Sequence, residues 1–124
     1  MTTGIVVGHR QVSDSLIDAA RSILGPVEDL CGLSNQGFST RELADRIREC
    51  ASSADGPVLV LVDVYGGSCW RAAKLAQLPQ GRIVSGVNLP MLLSFANKRN
   101  TLAPEELAAV LADDGKRGII LEQP

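Results

Sequence analysis

The chain has 124 residues, of which 45% are hydrophobic and 21% charged, and its formal net charge is −2 at pH 7. This length and composition predict one soluble globular domain over residues 1–124. No basic run stands out, so the charge pattern does not favour binding to nucleic acid or to an anionic membrane surface. The longest clearly apolar run, Val58 to Val62, is far shorter than the ~20 residues that span a bilayer, and the N-terminus shows no secretory signal.

The first half of the chain alternates between short apolar runs and helical periodicity. Gly4 to Gly8 predicts a short buried strand, and the apolar spacing from Val12 to Leu24 predicts a helix that Gly25 and Pro26 end. Val27 to Leu33 predicts a weaker strand near an edge of the sheet, because it carries two acidic residues.

A second helix and a central strand follow. Ser39 and Glu42 have the spacing of a capping box, so a helix is expected to begin there. Val58 to Val62 shows no polar alternation, as in a parallel strand that is covered on both faces. The next helix is expected over about Gly67 to Leu78.

The last part of the chain repeats this alternation. Arg82 to Ser85 predicts a strand, and Asn88 can cap the helix after it. A final helix is expected from about Pro104 to Asp114, ending at Gly115, and Gly118 to Leu121 predicts a last strand. Strands that alternate with helices imply an open α/β sheet with right-handed crossovers.

Three cysteines, Cys31, Cys50 and Cys69, form no C-x-x-C pair, so we expect neither a disulfide scaffold nor a zinc site. A reducing cytoplasm is the simplest location for such a chain. One histidine without clustered acidic residues argues against a metal site. Cys69 could be reactive at a helix N-terminus, but a small buried hydrophobe is favoured.

Two predicted strands end in residues that can carry chemistry. In open α/β sheets, ligands bind beyond the carboxyl ends of the strands, where the strand order reverses. A flavodoxin-like order puts the first and third strands side by side, so His9 and Asp63 would lie on one rim.

The segment after Asp63 is suited to a phosphate. Gly66 and Gly67 let backbone N–H groups approach a ligand closely, and Ser68 can cap the helix whose positive dipole end faces it. The alternative is structural: Gly-Gly-Ser is often only a turn, an aspartate after a strand is often an Asx turn, and a single histidine in a loop is often a surface residue.

Three stretches carry a resemblance that runs almost end to end: "GIVVGH", "LVDVYGGSCW" and "SGVNLPMLL", with a weaker match in "GKRGII". The chain resembles the enzyme IIA domain of the mannose family of the bacterial sugar phosphotransferase system. The resemblance implies that His9 is phosphorylated and that Asp63 is its partner. It also implies a flavodoxin-like fold with strand order 2-1-3-4, and a C-terminal strand at the edge that is shared between the subunits of a dimer.

The same resemblance implies the partners. HPr, a small histidine phosphocarrier, would donate the phosphoryl group, and a IIB domain on a separate chain would accept it, with only indirect association with a membrane permease and no cofactor. A regulatory module, whose phosphorylation reports flux to a target protein, is the alternative function. Both functions require the same site.

The sequence departs from the family pattern beside the histidine. The family usually has Ser-His-Gly where this chain has Gly8-His9-Arg10, and it usually has proline where Cys69 stands. Arg10 adds a charge that can favour a phosphoryl group or change which donor docks. Ser85 and Asn88 are candidates for the pocket wall, although for Asn88 a purely structural helix cap is favoured.

Overall fold

The computed structural model covers residues 1–124 and contains four strands and five helices. In chain order the elements are β1 (Thr3–Gly8), α1 (Val12–Leu24), β2 (Leu30–Ser34), α2 (Thr40–Ser52), β3 (Val58–Val62), α3 (Ser68–Ala76), β4 (Arg82–Ser85), α4 (Leu89–Lys98) and α5 (Pro104–Arg117). None of the five helices combines the length and the apolar character that crossing a membrane requires.

The four strands form one parallel sheet in the order β2-β1-β3-β4. The predicted α/β class and strand order are therefore confirmed. Strand β2 lies at an edge, as predicted, but it begins at Leu30 and not at Val27, so Glu28 and Asp29 precede the strand. The apolar strands β1 and β3 lie in the middle.

Helices cover both faces of the sheet, and each face has its own core. Residues of α1, α4 and α5 pack on one face around Phe95, Leu107 and Leu111, all fully buried. On the other face, α2 and α3 bury Leu43 and Ile47 against β1 and β3. A strand covered on both faces has no solvent-facing side, which is why β1 and β3 are apolar at nearly every position.

Local capping fixes where the helices begin and end. The backbone N–H of Glu42 donates to Ser39 Oγ (3.1 Å) and the N–H of Ser39 donates to Glu42 Oε1 (2.9 Å), so the predicted capping box is present. These hydrogen bonds to Ser39 lower the pKa of Glu42. Asn88 caps α4 by accepting the N–H of Met91 (3.0 Å), and Gly25 ends α1 with a φ of 83°.

The C-terminal prediction was wrong in two respects. Helix α5 does not end at Gly115 but continues to Arg117, and Gly118 caps it. Gly115 is a buried residue inside α5, and a Cβ there would lie 2.9 Å from Cε at the flexible end of Met91. Gly118 to Leu121 forms no strand within the chain. Helix α5 extends up to this segment, and the segment does not pair with either edge of the four-stranded sheet.

The start of α3 also differs from the prediction. Gly67 is the N-cap residue and forms no side-chain cap, while Ser68 is the first helical residue. The expectation that the Ser68 hydroxyl caps this helix was therefore wrong. The hydroxyl is left free to take part in other contacts at the rim.

The expectation that the cysteines form no disulfide was wrong as well, whereas Cys69 is fully buried, as expected. Cys31 on β2 and Cys50 on α2 form a disulfide, 19 residues apart in sequence with their Cα atoms 6.9 Å apart. Helix α2 runs back along the sheet after β2, which returns its last turns to the level of the beginning of that strand. A spacing rule along the sequence does not capture this approach of a helix end to a strand start.

Candidate active site

His9 and Asp63 are the first residues beyond the two central strands. The last register pair of β1 and β3 joins Val7 with Val62, so the two residues leave the sheet side by side. His9 Nδ1 lies 2.8 Å from Asp63 Oδ2, and the backbone N–H of His9 donates to the same oxygen at 2.8 Å. The structure thus brings together two residues that are 54 positions apart.

The Asp63 carboxylate has three hydrogen-bond contacts. Oδ2 faces the backbone N–H and the ring Nδ1 of His9, and Oδ1 accepts the backbone N–H of Val64 at 2.9 Å. Burial raises the pKa of Asp63, but the hydrogen bonds from His9 and Val64 outweigh it and hold the pKa below its usual value. The carboxylate is therefore ionised near neutral pH.

An ionised carboxylate at Nδ1 decides the state of the His9 ring. Because a carboxylate only accepts hydrogen bonds, Nδ1 must carry the proton, and in the neutral ring Nε2 keeps its lone pair. Nε2 lies 3.5 Å from Ser68 Oγ, and the His9 side chain is 44% exposed. The arrangement leaves a nucleophilic nitrogen that faces the N-terminal end of helix α3, on a side chain that is partly exposed to solvent.

Gly66 and Gly67, the two glycines of the loop, are suited to their positions for different structural reasons. Gly66 has a φ of +80° and no atom near the position of a Cβ, so it is required by its backbone conformation. A Cβ on Gly67 would lie 3.5 Å from His9 Cε1, next to the nucleophilic nitrogen. A side chain at residue 67 would therefore occupy space beside Nε2.

Asn35, beyond the end of β2, was missed by the sequence reasoning. Its Nδ2 donates to Ser68 Oγ (3.2 Å), and its Oδ1 accepts the backbone N–H of Arg10 (3.2 Å). Because Ser68 Oγ accepts this bond, its own proton can be donated to Nε2, 3.5 Å away, or to a group bound there. A polar residue directly after a strand that neighbours β1 was the only available signal.

The three residues expected at the pocket wall lie in different surroundings. Arg10 lines an open cleft of about 570 Å³ together with His9 and Asn35. Asn88 has both side-chain ends occupied, since it caps α4 and donates to the Gly115 carbonyl at 3.0 Å. Ser85 is partly buried at the end of β4 and forms no hydrogen bond with His9 or Asp63.

Cys69 is the remaining polarisable group near the ring. Its Sγ lies 3.9 Å from His9 Nδ1, and His9, Asp63 and Cys69 could together face one metal ion. Burial, with the charge of Asp63 in addition, raises the pKa of the fully buried thiol to about 11. A metal binds the thiolate and not the thiol, so this donor set is poorly suited to a metal.

Comparison with known proteins points to one family. The family model described as EIIA-man, PTS system fructose IIA component, matches residues 4–111. The sorbose-specific EIIA component from Klebsiella pneumoniae is 26% identical over 110 residues, covering 86% of this chain and 82% of that protein. The fructose-specific EIIA component from Bacillus subtilis (strain 168) is 28% identical over 112 residues, covering 86% and 77%.

A solved structure supports the fold independently. The crystal structure of a phosphotransferase system component EIIA from Streptococcus agalactiae superimposes with a TM-score of 0.88 at 22% identity, over 97% of this chain and 96% of that one. At this identity the likeness concerns the fold. The arrangement of four parallel strands is common to both.

Proposed function

The chain belongs to the family of IIA components of the sugar phosphotransferase system, and we propose that within this system it carries a phosphoryl group on His9 Nε2. The observation that carries the proposal is the 2.8 Å contact between His9 Nδ1 and Asp63 Oδ2, which leaves Nε2 unprotonated, with its lone pair available. The donor would be phospho-HPr and the acceptor a IIB domain on another chain. The exchange would take place in the cytoplasm, with the sugar permease contacted only through IIB.

The proposed transfer balances without a cofactor. The N–P bond on the donor histidine breaks, and its electron pair stays on that nitrogen. A new bond forms between phosphorus and the lone pair of Nε2, while Nδ1 keeps its proton on Asp63. Phosphoryl transfer has a loose transition state, so positioning and stabilisation of the oxygens supply most of the catalysis.

Groups around Nε2 would receive the phosphoryl oxygens. The Ser68 hydroxyl lies 3.5 Å from Nε2 and can turn its proton to a phosphoryl oxygen once phosphorus is bonded to that nitrogen. The backbone N–H groups at the start of α3 have no partner within the helix. The helix dipole adds a partial positive charge at this end. In this proposal Gly66, Gly67 and Ser68 form the phosphoryl-binding loop.

Labelling with a phosphoryl donor and HPr tests the proposal directly. We expect one labelled site in the wild type and none in His9→Gln, which removes the nucleophile while circular dichroism shows that the fold is retained. Label on the folded variant would contradict the assignment. Release of the label to a IIB domain would identify a transport carrier, and its retention would identify the regulatory alternative.

We also propose that the chain forms a homodimer through its C-terminal segment. Ile119, Ile120 and Leu121 are 77%, 70% and 82% exposed, and no strand in the chain covers them. Pairing with a second copy would bury this apolar run. Light scattering should show a dimer for the full chain and a monomer after truncation at Gly118; a monomeric full chain at every concentration would contradict the proposal.

A further inference from the structure

Arg10, directly after the proposed nucleophile, has an unusual backbone conformation. Its φ is +53°, in the left-handed region that residues with a Cβ adopt at a free-energy cost and that glycine adopts readily. Asn35 Oδ1 accepts the Arg10 backbone N–H at 3.2 Å and helps to hold this conformation. An arginine at this position therefore costs stability that glycine would not.

The Arg10 side chain offers no structural compensation for that cost. It is exposed, and its guanidinium forms no hydrogen bond or ion pair with the protein. Arg41 is the only other arginine in this situation. By contrast, Arg71, which lies beside the same loop, donates to the Gly66 carbonyl at 2.9 Å and is engaged there.

The position of Arg10 would allow its unpaired guanidinium to contact a phosphoryl group on His9. Arg10 lines the same cleft as His9, and because neighbouring Cα atoms are only ~3.8 Å apart, its long side chain can reach a group held on the ring. A phosphoryl group on Nε2 would bring two negative charges close to the ionised Asp63. The other proposed contacts, backbone N–H groups and the Ser68 hydroxyl, are uncharged.

We propose that Arg10 binds the phosphoryl oxygens on His9 and so sets how strongly this carrier holds its phosphoryl group relative to HPr. The inference rests on the proposed function and adds a specificity-determining residue to it. The planar guanidinium can contact two phosphoryl oxygens at once, which a lysine ammonium cannot do in the same geometry. Arg10 takes no part in bond making or breaking.

The test measures the equilibrium partition of label between HPr and this chain. Arg10→Gly should shift the partition about tenfold toward HPr, the size expected for one partly exposed charge-assisted contact. The same substitution should raise the melting temperature by about 3 °C, because glycine relieves the left-handed conformation. Arg10→Lys should shift the partition by a smaller factor, since it keeps the charge but loses the planar fork.

Two matched controls separate the possible causes. Gln77→Gly relieves the same kind of backbone conformation (φ 48°) at the far end of α3, and it should stabilise the fold without changing the partition. Arg41→Gln removes another free charge, near the start of α2, and should leave the partition unchanged within about twofold.

The outcomes are distinguishable from those that test the function itself. Arg10→Gly that is labelled with an unchanged partition would overturn the inference and leave the carrier function intact. An equal shift in Arg41→Gln would also overturn it, because the partition would then depend on the net charge of the protein and not on a contact made by Arg10. Absence of label on the wild-type protein would instead contradict the proposed function.

Discussion

Asp63 and Asp114 are two carboxylates with similar surroundings and different consequences. Asp63 faces the backbone N–H and ring of His9 and the N–H of Val64. Asp114 accepts from the Ser94 hydroxyl, from Lys98 Nζ at 2.6 Å and from Arg117. In both residues, hydrogen bonds hold the pKa of the carboxyl below its usual value.

The partners make the difference between the two groups. Lys98 and Ser94 lie on α4 and Asp114 lies on α5. The Asp114 carboxylate therefore links two helices, and its partners present no reactive atom to a ligand. The partner of Asp63 is an imidazole that has a second nitrogen, half exposed in a cleft. A shifted pKa alone thus does not distinguish a structural acid from a functional one, whereas a free reactive atom on the partner does.

The largest effect that sharpens this comparison is expected for Asp63→Asn. Both carboxylate oxygens accept hydrogen bonds, and asparagine must turn an NH₂ group toward one of these donors. The ring then loses the acceptor that fixes Nδ1–H. The corresponding change in a serine protease triad costs about 10⁴ in rate; here, where the phosphorylated donor brings much of the chemistry, we expect a loss of transfer from HPr of roughly 10²-fold.

Stopped or quenched transfer assays measure that loss, and NMR of the phosphorylated wild type shows which nitrogen carries phosphorus. Asp114→Asn serves as the matched control, because it is the same substitution at a carboxylate with as many donors. Full transfer in Asp63→Asn, or phosphorus on Nδ1, would rule out the proposed pairing.

Asp114→Asn is expected to have the smaller effect, and on stability alone. Loss of its contacts to Lys98 and Arg117 should lower the melting temperature by about 4 °C at pH 7, with transfer unchanged. The folded-state pKa of Asp114 lies below its unfolded value, so its contribution is complete above about pH 4 and is lost as the pH falls through the folded pKa. Melting curves of the two proteins should therefore converge in acid; a constant difference would show that Asp114 stabilises the fold without its charge.

The sequence was sufficient for the central part of the site. His9 and Asp63 each follow an apolar run, and the rule that parallel strands end on one rim predicts their approach without any knowledge of side-chain contacts. The Ser39 capping box and the Asn88 cap were predictable for a similar reason, since each is a local motif with fixed spacing.

Other features depend on contacts between elements that are distant in sequence. Gly115 looked like a helix stop, but it is a buried helical residue whose carbonyl accepts a hydrogen bond from Asn88. Asn35 was not singled out by the sequence, because its role depends on hydrogen bonds to Arg10 and Ser68 on other elements. Cys31 and Cys50 meet only because α2 runs back over β2. The positive φ of Arg10 could not be predicted from its residue type, because arginine has no preference for that conformation.

The position of β1 in the middle of the sheet has a consequence for biosynthesis. Its first partner β2 is made soon afterwards, but its second partner β3 and the acid that orients His9 leave the ribosome some 54 residues later. The face beneath α4 and α5 is completed only after α5 has been made, so its apolar residues stay uncovered until then. Until β3 and Asp63 have been made, the His9 site is incomplete, and the uncovered apolar segments are the kind of surface that chaperones bind.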